Sequence, residues 1–130
     1  MKVVLVIEAD EKMRENIGEI LEISGYNVEF ALDGLEGLQK VFSILPDLVI
    51  CNINLPGMSG YELVESVHCS PNSNAIPIII LTPNIDGEEV VRSIDSAINT
   101  YLTIPFEYGQ LVDAVERQLK SRRPSFKTAS

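Results

Sequence analysis

The sequence predicts an α/β fold in which one five-stranded parallel sheet carries helices on both faces. Three observations predict it. Five short apolar runs alternate along the chain with five segments whose apolar residues recur at helical spacing. Two of those runs, Leu48–Cys51 and Ile76–Leu81, are wholly apolar, as expected of interior strands covered on both sides. The connections between runs are short, so successive strands must be joined by crossover helices.

Taken in order, Lys2–Ile7 is a β-branched apolar run and forms the first strand. Asp10 then caps a helix with Met13, Ile17, Ile20 and Leu21 on one side, and Ser24-Gly25 stops it. A shorter second strand follows at Asn27–Ala31. Asp33 caps a second helix, in which Leu35, Leu38, Val41, Phe42 and Leu45 are expected to face inward, and Pro46 marks its end. The third strand ends on Asn52 and breaks into the Pro56-Gly57 turn, with Gly60 as a further break. Tyr61–Cys69 is a third helix bearing Leu63, Val64 and Val67, and the polar segment 70–75 is a loop. After the fourth strand, Thr82 closes the run and Pro83-Asn84 breaks the backbone. Asp86 opens a fourth helix with Val90, Val91, Ile94 and Ile98. Thr100–Thr103 is a fifth strand ended by Ile104-Pro105. A last helix runs from about Glu107 to Lys120, with Tyr108, Leu111, Val112, Val115 and Leu119 expected inward.

At 130 residues the chain has the length of a single domain, assigned to 1–120, with 121–130 (SRRPSFKTAS) read as a polar basic tail or the start of a linker. No apolar run approaches the ~20 residues needed to cross a bilayer. The start leads straight into VVLVI and then acidic residues, unlike a secretory signal. A cytoplasmic location is expected. The net charge is -9, and residues 1–120 carry 19 acidic against 7 basic groups while the last ten carry three basic ones. An acidic body of this kind repels nucleic acid and favours basic partners. Cys51 and Cys69 are too few for a disulfide framework or a zinc site and are read as reduced thiols. His68 has no Cys or His partner at ligand spacing and reads as a helix-surface residue.

In open parallel sheets, chemistry lies just beyond the carboxyl ends of the strands. Asn52 stands at such an end. The signposts VLVIEAD, PDLVICNINLPGMSGYEL, IPIIILT and YLTIPF together resemble the receiver domain of two-component response regulators, of the kind found in chemotaxis regulators, over about Lys2 to Leu119. The resemblance implies a flavodoxin-like sheet in the order 2-1-3-4-5 and a signalling module rather than an enzyme. It also implies a site at the carboxyl ends of strands one, three, four and five. There an aspartate ending the third strand is phosphorylated with the help of Mg²⁺. An acidic pair after the first strand recruits the metal, and a Thr or Ser and a Lys hold the phosphoryl group.

Carried over residue by residue, the match is partial. Asn52 holds the nucleophile's place, and its neutral amide cannot form an acyl phosphate. The acidic pair falls on Glu8 and Ala9, so one direct metal ligand becomes a methyl group. Ile104 stands where the lysine belongs. Thr82, Pro105 and the aromatic switch position at Tyr101 match, and Asn54 retains its backbone carbonyl. Mg²⁺ favours carboxylate and other oxygen ligands, and only Glu8, aided by Asp10, remains. Specific metal binding is therefore expected to be weak or absent, with no cofactor and no catalytic residue. Pro105 is the candidate for a cis peptide. The plainer readings are that Glu8 and Asp10 are a strand end and a helix cap, that Thr82 is a structural hydroxyl, and that Tyr101 stays fixed against the sheet.

The expected function is that of a degenerate receiver acting by protein interaction, its partner a signalling protein or an output domain. The implied face comprises the helix opened by Asp86, the fifth strand and the last helix, with Arg92, Asp95, Tyr101, Glu107, Tyr108 and Arg117; a homodimer through it is a further expectation. No contact with nucleic acid or membrane is expected. Two alternatives stand beside this reading. One is a working Mg²⁺-dependent phospho-switch in which position 52 is normally Asp, here engineered or deamidated. The other is a flavodoxin-like small-molecule binder, against which Glu8-Ala9-Asp10-Glu11 offers no glycine and the wrong charge for a phosphate.

Overall fold

The computed structural model describes residues 1–83 and 100–122. The strands are β1 (Val3–Ile7), β2 (Asn27–Ala31), β3 (Leu48–Asn52), β4 (Ile78–Thr82) and β5 (Thr100–Thr103). The helices among the described residues are α1 (Glu11–Ile23), α2 (Gly34–Ile44), α3 (Gly60–Cys69) and α4 (Tyr108–Arg122). The fourth helix expected from Asp86, with Arg92 and Asp95, lies outside the described residues. So does the expected tail beyond Arg122, while Ser121 and Arg122 continue the last helix rather than opening the tail.

All strands pair in parallel in the order β2-β1-β3-β4-β5, the doubly wound order expected. Successive side chains alternate between the two faces. On one side Leu5, Ile7, Val49, Cys51, Ile78 and Ile80 join Val41 of α2 and Leu63, Val64 and Val67 of α3. On the other, Val4, Val6, Leu48, Ile50, Ile79 and Leu81 join Ile17, Ile20 and Leu21 of α1 and Leu111, Val115 and Leu119 of α4. Both faces of the three central strands are therefore dry.

Two helix faces differ from the sequence expectation. In α2 the buried positions are Gly34, Gly37 and Val41, while Leu35, Phe42 and Leu45 are about half exposed. The reason is close approach. A Cβ at Gly37 would lie 2.5 Å from Cδ1 of Ile7, so this side of the helix lies against β1 and the bulky apolar stripe is turned aside. In α4, Tyr108 is exposed, because the apolar cluster beneath that helix begins only at Leu111.

Candidate functional site

The carboxyl edge of the sheet is set by strand register. Ile7 lies opposite Cys51 and Asn52 opposite Leu81, so Glu8, Asn52 and Thr82 emerge side by side. The Asp10 carboxylate caps α1, Oδ2 accepting from the Met13 amide at 2.8 Å. Beyond β3, α3 begins with a capping box in which Ser59 and Glu62 each accept the other's backbone N–H, at 3.3 and 3.0 Å. The Ser-Gly-Tyr-Glu spacing encodes that box and gives this helix start directly. Gly60 allows the close passage: its amide donates to the Ile53 carbonyl at 2.9 Å, and a Cβ there would lie 2.8 Å from the Ile53 Cα.

Glu8 is 3 % exposed, and a carboxylate so buried needs partners. Its Oε1 accepts from Nδ2 of Asn52 at 2.7 Å, and its Oε2 from the Asp10 amide at 3.0 Å. The other end of the same carboxamide, Oδ1 of Asn52, accepts from the Asn54 amide at 2.8 Å. These contacts fix the orientation of the Asn52 amide, since a flip would set oxygen against oxygen and N–H against N–H. A carboxylate at position 52 would lack the donor that Glu8 now uses.

Arg14 is a residue that the sequence reading missed. From the second turn of α1, its Nη1 donates to the carbonyls of Glu8 at 2.9 Å and Ala9 at 3.3 Å, pinning the turn after β1 beneath a fixed positive charge. Its signal was present: residue 14 is one helical turn past the Asp10 cap and so returns to the same side of the helix. Cys51, one residue before Asn52, is fully buried. Burial pushes its thiol well above the ordinary value of 9.0, and the charge of Glu8 adds to the rise. Cys69 is exposed, and both thiols are free.

The β4/β5 half of the edge is built differently. Thr82 is buried, and its carbonyl accepts from the Ile104 amide at 2.9 Å. Ile104 packs against the apolar cluster on the α1/α4 side, and Tyr101 against the cluster on the α2/α3 side. The Ile104–Pro105 peptide is cis. Glu107 and Arg117 are exposed, and Arg117 pairs with Asp113 one turn earlier on α4.

The residues at this edge do not fit a Mg²⁺ ion. Both oxygens of Glu8 already accept hydrogen bonds, Asn52 directs its N–H at Glu8 and offers no carboxylate, and Ala9 supplies only a methyl group. Among the described residues no group of three His, Cys, Asp or Glu side chains is placed to hold a metal. No described helix is long and apolar enough to cross a membrane.

A doubly wound 2-1-3-4-5 parallel sheet with its polar cluster at the carboxyl edge defines the flavodoxin-like class of domain. The family model for the response regulator receiver domain matches residues 4–116, and the chain belongs to that family. It is 34 % identical over 87 % of its length to hybrid signal transduction histidine kinase D of Dictyostelium discoideum, of which it covers 7 %. It is 29 % identical over 93 % of its length to response regulator MprA of Mycobacterium avium, covering 52 % of that protein. The chain thus spans about half or less of these curated relatives. Among solved structures, a putative response regulator from Chloroflexus aurantiacus superposes with a TM-score of 0.86 at 33 % identity, covering 92 % of this chain and 98 % of that one. The chain is a receiver domain of two-component signalling.

Proposed function

We propose that this receiver works without phosphorylation at position 52, as a protein-interaction module of a signalling pathway. The observation that carries the reading is the hydrogen bond from Asn52 to the buried Glu8 carboxylate. Phosphoryl transfer to this position needs a carboxylate oxygen as nucleophile and a cation to neutralise the phosphoryl oxygens. Here an amide nitrogen faces Glu8, both Glu8 oxygens are engaged, and Ile104 brings apolar packing where the family resemblance calls for a lysine. The acidic edge is stable as it stands and does not wait for an ion.

With that chemistry removed, surface is what remains for signalling. The proposed contact face comprises β5, α4 and the turn between them, where Glu107, Tyr108 and Arg117 are exposed to solvent; the expected contribution of Arg92 and Asp95 lies outside the described residues. Its partner is a signalling protein or an output domain, with pairing of two copies through this face as the alternative. The domain takes no nucleic acid, in keeping with its acidic charge.

The test is exposure to acetyl phosphate or beryllofluoride with Mg²⁺, read by intact mass and by amide chemical shifts. The expected result is an unmodified mass and unmoved resonances for Glu8, Asn52, Thr82 and Tyr101. A stoichiometric adduct would overturn the proposal.

A further inference from the structure

Residues 54–59 carry the chain from β3 back to α3, and all six are exposed or partly exposed. A turn with so little apolar burial belongs to the low-stability end of a fold unless polar contacts hold it. Its far end is anchored. Ser59 shares the capping box with Glu62, the Gly60 amide donates to the Ile53 carbonyl, and the Met58 backbone lies against Gly34 at the start of α2. Its near end is held by the Asn54 amide, which donates to Oδ1 of Asn52 at 2.8 Å.

Taken alone, that bond is a common local device, in which an Asn side chain accepts from the amide two residues on. An Asn free at its other end gives up its rotamers for a bond that water replaces at little cost. The Asn52 carboxamide is not free at its other end. Its Nδ2 donates to Oε1 of the buried Glu8 at 2.7 Å, the length of a charge-assisted bond. Glu8 is itself held on every side: Oε2 accepts from the Asp10 amide, its own amide donates to the Ala31 carbonyl at 3.0 Å, and its carbonyl accepts from Arg14. The rotamer that the Asn54 amide needs is therefore fixed from the β1 side, independently of any bond to the turn. Donation to a carboxylate also polarises the carboxamide, which makes Oδ1 the better acceptor.

We propose that Glu8, Asn52 and the Asn54 amide form a standing clasp, through which the end of β1 sets the conformation of the turn after β3. Glu8 is a positioning residue in this clasp, since it acts on the turn only through the carboxamide of Asn52. The permanence of the clasp rests on the silence of position 52 proposed above, because a side chain that is never modified does not let go. The turn accordingly keeps a single state.

Amide hydrogen exchange of the whole chain, followed residue by residue by NMR in metal-free buffer without phosphodonor, tests it. The Asn54 amide is expected to exchange at least ~10-fold more slowly in wild type than in Asn52→Ala, where both bonds are gone. Glu8→Met, of similar volume but with no acceptor, leaves residues 52 and 54 as they are. It is expected to speed the Asn54 amide at least ~5-fold while the interior amides of Ile50 and Ile79 keep their wild-type rates. Glu8→Ala serves in its place if Glu8→Met disturbs those interior amides. An Asn54 amide that exchanges in wild type as fast as in an unstructured chain overturns the proposal without any variant. Protection of Asn54 that survives loss of the Glu8 carboxylate overturns it too, by reducing the contact to a local turn. A phosphoryl adduct at position 52 is a separate failure: it is read by mass and overturns the silence of the site, not the exchange rates measured without phosphodonor.

Discussion

The two halves of the sheet's carboxyl edge are closed by different physical means. At β1 and β3 a buried carboxylate is kept and satisfied: Glu8 accepts from Asn52 and Asp10, and Asn52 accepts from Asn54. At β4 and β5 Ile104 and Tyr101 pack against apolar clusters, and the Ile104 amide donates to the Thr82 carbonyl. The first half is polar and sensitive to charge. The second carries apolar packing at Ile104 and Tyr101 and is sensitive to shape. The difference teaches that a buried carboxylate has to be met by hydrogen-bond donors where it stands, since an unpaired buried charge is strongly destabilising, whereas an apolar side chain at the same edge needs only matching shape.

The comparison is broken hardest by Asn52→Asp. This change sets two carboxylates where one N–H···O bond of 2.7 Å now stands, and at neutral pH it is expected to cost about 3 kcal/mol. Like-charge contact raises the pKa of the pair, so the folded form holds a proton that the unfolded chain releases. In the variant, stability is then kept at low pH and lost as pH rises through the raised value. Thermal melts from about pH 4 to 8, with and without Mg²⁺, report it. A variant as stable as wild type in metal-free neutral buffer would mean that residue 52 does not face Glu8 in solution.

Ile104→Lys sharpens the contrast from the other half. Alone it is expected to cost about 1 kcal/mol through lost packing. Combined with Asn52→Asp it should cost less than the sum, because an ammonium placed at that edge compensates the new carboxylate. A double-mutant cycle by chemical denaturation measures the coupling, expected at about 1 kcal/mol. Strict additivity would show that the two halves are electrically independent.

The smallest effect is alkaline. The Cys51 thiol is raised by burial and then by Glu8, so in the folded chain it stays protonated above 9.0, where the unfolded thiol ionises. The stability linked to it is present in full below that pH and lost progressively above it. Tyr26, raised by burial and by Glu116, adds a loss of the same sign above its ordinary value of 10.0. Cys51→Val is expected to show a shallower decline of Tm between about pH 9 and 10.5 than wild type. An identical slope would mean that the thiol is not buried.

Much of this was legible in the sequence. The runs at Leu48–Cys51 and Ile76–Leu81 announced interior strands, Asp10 and Asp33 announced helix starts, and the family motifs located Asn52, Ala9 and Ile104. The facing of α2 was not. Counting apolar residues put Leu35, Phe42 and Leu45 inward, but glycines at 34 and 37 let a nearly bare side of the helix approach the sheet. The same bias placed Tyr108 inward. Nor was the bonding of Asn52 legible: that a neutral amide is a poor nucleophile followed from its chemistry, whereas its donation to Glu8 links residues 44 positions apart.

Local pattern therefore determined the elements, the order in which they could join, and the inventory of side chains left at the edge, because strand and helix periodicity depend on neighbours in the chain. The tertiary structure alone decided which helix face is covered and which groups satisfy the buried carboxylate. Close packing and hydrogen-bond geometry act through space, between segments whose distance from one another no stretch of sequence records.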